Sequence, residues 1–191
     1  MLLGYVVAGK KSNDGDFFKK NEPENLICSQ CGTCLDFDYA PQEIDIKPTM
    51  KDDVSYTDDL RTLFSEKFVK FCKETLKSDD AFIPIKAGNR TLYYLNPTRV
   101  LNFDVIRREV KFEGECSRCG GYETIAGAYP VFLKTQEPIG PGFYKTDTIF
   151  ASGKSKHPLT IVGTEWMKLI ADQKFKGINL EKISDTWPIT Q

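Results

Sequence analysis

The sequence predicts an α+β fold, a mixed or antiparallel sheet with two main helices. Three observations carry that expectation. Short apolar runs bounded by turn residues recur along the chain, as at 81–85 and 91–95 around Lys86-Ala87-Gly88-Asn89-Arg90. Apolar residues at steps of three and four mark one helix over 60–76 and another over 165–174. Two Cys-x-x-Cys-Gly sequences, Cys28-Ser29-Gln30-Cys31-Gly32 and Cys116-Ser117-Arg118-Cys119-Gly120, lie far apart in polar, turn-rich surroundings. A chain of 191 residues that is 40% hydrophobic and 12% aromatic suits one domain, 1–191, with a real core.

The elements follow in order. Residues 1–9 are apolar and form a first strand, and 10–24 read as a polar loop leading to the first knuckle. The stretch 36–59 is acidic: Asp36, Asp38, Glu43, Asp45, Asp52, Asp53, Asp58 and Asp59 face only Lys47 and Lys51. The helix after it places Leu60, Leu63, Phe64, Phe68, Phe71, Cys72 and Leu76 on one stripe. Ser55 or Thr57 caps its start, Asp58 and Asp59 sit in its first turn, and Lys73 and Lys77 in its last. Beyond the hairpin, 100–105 and 109–112 are strands that enter the second knuckle, and 121–124 and 129–133 leave it. Strands at 148–151 and 159–162 flank a polar turn at 152–156. Thr164 caps the second helix, Gly177 stops it in a left-handed turn, and 178–183 alternates as a closing strand.

The knuckles carry the chemistry. Four thiolates surround one tetrahedral zinc when two Cys-x-x-Cys pairs meet, and a glycine after each pair permits the positive-φ turn such a loop needs. Cys28, Cys31, Cys116 and Cys119 are the ligands of a structural Zn2+ site, in a zinc-ribbon-like module formed by 26–35 and 110–125. A site with four cysteine ligands is coordinatively closed and leaves no position for a substrate. The competing readings are redox thiols or a disulfide. Cys31-Gly32-Thr33-Cys34 is itself a Cys-x-x-Cys pair, but Gly32 then matches Gly120, which favours Cys28 and Cys31 over Cys34. Cys72 lies within the apolar stripe and reads as a buried small hydrophobe.

Other function classes lack their residues. The single histidine, His157, stands between Lys156 and Pro158 in an expected surface turn. No Gly-x-Ser-x-Gly elbow and no Walker-type phosphate loop occurs, so the chain does not read as an enzyme. The formal charge of −1 does not mark a nucleic-acid binder. The competing reading is a zinc-ribbon nucleic-acid or transcription-associated module, supported by Arg99, Arg107, Arg108, Lys111 and Arg118. The acidic stretch argues against it, being either a solvated surface or a face for a basic partner. No apolar run approaches the roughly 20 residues of a membrane span. The N-terminus lacks the basic residues of a signal peptide, and the cysteine pattern suits a reducing compartment, so the expected location is cytoplasmic.

Together with the knuckles, three further regions carry a likeness to a known family. They are Tyr93-Tyr94-Leu95-Asn96-Pro97, then Asp147-Thr148-Ile149-Phe150 with Leu159-Thr160-Ile161-Val162, and Lys176-Gly177-Ile178-Asn179-Leu180. The chain resembles the double-CXXCG family of bacterial toxin-immunity proteins, a paralogous set in myxobacteria. The likeness covers most of the chain, with the knuckles its specific part and Cys34 a departure from the simplest pattern. It implies zinc at Cys28, Cys31, Cys116 and Cys119. It also implies a non-catalytic cytoplasmic protein that binds and neutralises a cognate polymorphic or contact-delivered toxin. It supplies no toxin-contacting residues. The acidic stretch offers Asp45, Asp52, Asp53, Asp58 and Asp59 as candidates for a basic partner surface.

Overall fold

Apolar residues that alternate along the strands collect on two sheets, where the sequence suggested one. The computed structural model describes residues 1–10, 12–13, 16–45 and 52–186. The elements are β1 (Leu2–Gly9), β2 (Ser12–Asn13), α1 (Phe17–Asn21), β3 (Glu43–Ile44), β4 (Val54–Thr57), β5 (Thr62–Ser65), α2 (Glu66–Glu74), β6 (Ala81–Ala87) and β7 (Arg90–Asn96). They continue with β8 (Val100–Leu101), β9 (Lys111–Glu115), β10 (Tyr122–Ala126), β11 (Phe143–Ser152), β12 (His157–Gly163), α3 (Thr164–Asp172) and β13 (Ile178–Ser184). The first sheet runs β13-β1-β12-β11-β10-β9, with β8 added beside β11. The second runs β2-β4-β5-β7-β6-β3. Pairing is antiparallel except at β8–β11, β2–β4 and β3–β6. The α+β character and the two main helices, α2 and α3, are as expected.

The core between the sheets is aromatic. Phe64, Phe68, Phe82, Phe143 and Phe175 pack with Tyr5, Val7, Val162 and Ile170, joining both sheets to α2 and α3. Phe68, fully buried, stacks on Phe64 at 4.7 Å and meets Phe175 edge-on at 4.9 Å. A second cluster, with Val6, Ile125, Phe150, Leu159 and Ile161, fills the far face of the first sheet. A third, with Phe17, Phe18, Leu63 and Tyr94, lies under α1 on the second sheet. The sheets touch at Gly9, where a β-carbon would overlap the Ser55 backbone. No helix among the described residues is long and apolar enough to cross a membrane.

Several boundaries move. The helix expected from Leu60 begins at Glu66, because 54–57 and 62–65 form a hairpin instead. Ser65, neither Ser55 nor Thr57, is its N-cap, accepting from the Phe68 amide at 3.3 Å. Asp58 and Asp59 therefore occupy the hairpin turn, with Leu60 at φ 66. The loop expected over 10–24 contains β2 and α1. Residues 129–133 form no strand, and only Leu133 bridges, to Phe103. Gly163, ahead of Thr164, is the N-cap of α3. Lys174 takes a left-handed conformation at φ 52 before Gly177 does so at φ 77. Lys47 and Lys51 lie outside the described residues.

Ser65→Ala removes the one side-chain cap found on α2. It lowers unfolding free energy by about 1 kcal/mol in chemical denaturation.

Candidate metal centre

Each knuckle is a tight loop closed by its own backbone. The Gly32 amide donates to the Cys28 carbonyl (2.8 Å), and the Gly120 amide to the Cys116 carbonyl (2.9 Å). The Cys28 amide reaches the Thr33 carbonyl (2.9 Å) and the Cys116 amide the Gly121 carbonyl (2.7 Å). Gly32 and Gly120 sit at φ 68 and 67, the left-handed turn a side chain would oppose. The two loops are therefore alike in hydrogen bonding and in backbone conformation.

The first knuckle belongs to the segment between α1 and β3, and the second to the β9–β10 hairpin. Their sulfurs meet. Cys28 Sγ lies 3.8 Å from Cys116 Sγ, and Cys31 Sγ lies 3.7 Å from Cys119 Sγ. All four sulfurs fall within 4.8 Å of one another and can hold one metal ion. No disulfide joins them, since a bonded pair stands about 2.05 Å apart.

Amide and hydroxyl donors tune the thiols. The Cys31 and Gln30 amides hold the Cys28 thiol below its usual range. The Thr33 hydroxyl and amide pull the Cys31 thiol down to about 6. At Cys119 the Gly121 amide favours the thiolate, but burial and the neighbouring sulfurs outweigh it and raise the thiol to about 11. Both knuckles thus present donors to sulfur, as metal-thiolate loops require.

Cys34 stands outside the cluster. It is buried beside the Ile27–Cys34 bridge, and its thiol donates to the Asp36 carbonyl (3.1 Å). Burial pushes it up to about 12, which makes it a poor nucleophile and a poor ligand. Cys72 is fully buried in the aromatic core, as expected, and burial raises its thiol as well.

Lys156 carries no mark in the local sequence. It is completely buried and donates from Nζ to Thr33 Oγ1 (3.1 Å) and to the Tyr122 carbonyl. Burial lowers its pKa, while Cys31, Cys119, Cys34 and Glu123 favour its charge. Its own carbonyl accepts from Arg61 Nη1 (2.9 Å). The Lys156 amino group thus reaches Thr33, the residue whose hydroxyl and amide lower the Cys31 thiol. The local sequence held no signal for this, because Thr33 lies 123 residues away. His157, expected in a surface turn, is instead the first residue of β12 and partly buried.

The candidate aspartates divide. Asp59 is buried: its Oδ2 accepts from the Phe18 (2.7 Å) and Lys19 (3.0 Å) amides, and its Oδ1 from Thr57. It caps α1 from the hairpin turn. Asp53 is buried too, accepting from Ser65 Oγ (3.1 Å), Lys67 Nζ (3.3 Å) and the Lys176 amide (2.9 Å). Both hold the fold together and neither presents its carboxylate to a partner. Asp45 and Asp58 are exposed and Asp52 partly so. Three of the five basic residues are engaged within the chain, Arg99 with Asp80, Arg107 with Asp185, and Arg108 with the Tyr129 carbonyl, while Lys111 and Arg118 are exposed. Comparison with family models, with curated proteins and with solved structures found no match for this chain.

Two substitutions separate ligand from support. Cys34→Ala leaves one metal per chain in elemental analysis of the purified protein. Lys156→Gln keeps the ligands but weakens metal retention by roughly 10–100-fold in competition with a chromophoric chelator.

Proposed function

We propose that this chain is a non-catalytic immunity protein, stapled by a structural zinc ion, that binds and neutralises a cognate protein toxin. The observation that carries the reading is the closed cluster of four sulfurs joining the two knuckles. A tetrahedron with metal–sulfur bonds of about 2.3 Å has sulfur–sulfur edges of about 3.8 Å, which is the zinc–thiolate geometry. Two of the six edges, at 3.8 and 3.7 Å, match it, and all four sulfurs lie within 4.8 Å of one another. Four thiolates around a divalent cation leave a net negative charge, and Lys156 is the buried countercharge beside them. Zinc in such a site supplies cross-linking and no open position for chemistry.

The toxin-binding part of the reading rests on the likeness to the double-CXXCG immunity family, and the charge distribution agrees with it. Asp45 and Asp58 are exposed and Asp52 is partly so, which makes this stretch of the surface acidic. The nucleic-acid reading has less support. Arg99, Arg107 and Arg108 are engaged within the chain, and exposed Glu113, Glu115 and Glu123 stand on the hairpin that carries the second knuckle. With exposed Lys111 and Arg118 on the same hairpin, that surface carries no net positive charge to attract phosphates.

Co-expression with the toxin encoded in its genomic neighbourhood restores host growth, and the purified pair forms a complex in titration calorimetry. The triple substitution Asp45→Lys, Asp52→Lys, Asp58→Lys keeps the zinc and weakens the complex at least tenfold. Absence of both protection and complex formation with wild-type protein overturns the immunity reading and leaves the metal site standing.

A further inference from the structure

Where the two sheets approach each other lies a cavity of about 570 Å³. Its wall is drawn from β1, β10, β11 and β12 of the first sheet and from β4, β5 and β7 of the second. The volume falls in the range of small-molecule sites, roughly 300–1,000 Å³. Most of the lining is apolar or aromatic: Tyr56, Tyr94, Tyr129 and Phe150 contribute rings. Leu60 and Tyr129, each about 40% exposed (39% and 41%), add apolar surface open to solvent.

One side chain breaks this pattern. Arg61 lines the cavity and is only 4% exposed, yet among the described residues it forms no ion pair. Its Nη1 donates to the Lys156 carbonyl, its Nε has no hydrogen-bond partner, and its Cζ lies 5.7 Å from the Phe18 ring centre. A guanidinium stays charged at any ordinary pH and offers five N–H donors, so burying it without an anion is costly. His157, the other basic side chain in the wall, adds no charge at neutral pH: burial and the nearby Arg61 lower it to about 4. Arg61 is therefore the charged group among the described lining residues.

The backbone of the wall is strained as well. Leu60 at φ 66 and Ala151 at φ 101 are two of the five non-glycine residues with positive φ among the described residues, and both line the cavity. Such strain collects at ligand sites, where the surrounding structure holds it in place.

We propose that this cavity binds a small organic anion with an aromatic body, its carboxylate paired with the Arg61 guanidinium. The rings of the wall take the apolar body and the fork of Arg61 takes two carboxylate oxygens. The inference rests on the cavity and on Arg61, and does not depend on the immunity reading.

The test uses 2-naphthoate and its neutral, size-matched counterpart 2-naphthamide, titrated into zinc-loaded protein by calorimetry. Naphthoate binds one site per chain at least tenfold more tightly than naphthamide. Arg61→Gln removes that preference and leaves naphthamide binding within twofold, while zinc content reports an intact fold. Thr160→Trp fills the cavity with a ring and abolishes binding of both probes, a second readout should Arg61→Gln fail to fold. Equal affinity of the two probes for the wild type, no naphthoate binding at millimolar concentration, or naphthoate binding that survives Thr160→Trp overturns the proposal.

Discussion

The meeting of two sulfur pairs separated by 88 residues ties distant parts of the chain to one another. The first pair is carried by a segment that starts at α1 and ends at β3, both packed with the second sheet. The second pair is carried by a hairpin of the first sheet. A metal ion held between them would join the two sheets at one end, while the aromatic core joins them elsewhere. In the chain-entropy model, closing a loop of this length removes roughly 4–5 kcal/mol of freedom from the unfolded chain. Metal binding at such a site is coupled to folding, since the unfolded chain does not present the four sulfurs together.

The knuckles were legible in the sequence because their geometry is local. Two cysteines at a fixed spacing, followed by a glycine, specify the loop, and Gly32 and Gly120 adopt the same left-handed turn. The choice of Cys31 over Cys34 was legible for the same reason. The start of α2 was not. Leu63 and Phe64 are adjacent and both buried, one under α1 and the other in the inter-sheet core. A strand covered on both faces puts apolar residues side by side, and so continues a helical stripe without a visible break. What distinguishes the two is the long-range pairing of β5 with β7, which no local pattern announces.

The acidic stretch shows the same limit on a smaller scale. Asp53 and Asp58 look alike in sequence, yet Asp53 clamps the N-terminus of α2 to the chain at Lys176, 123 residues away, while Asp58 is exposed. Asp59 caps a helix that starts 42 residues before it. Charge runs reveal composition, and only tertiary contacts separate a buried carboxylate from an exposed one. Lys156 and Arg61 belong to this class too. β10 runs from Tyr122, which accepts from Lys156, into the cavity wall at Thr124, and β12 places His157 in that wall directly after Lys156. The metal centre and the cavity are thus connected through β10 and the Arg61–Lys156 hydrogen bond.

X-ray absorption at the zinc K edge of the purified protein tests the four-sulfur cluster most directly. One zinc per chain is expected, in a single shell of four sulfurs at about 2.3 Å. A shell containing nitrogen or oxygen, fewer than four sulfurs, or no bound zinc at all would contradict it.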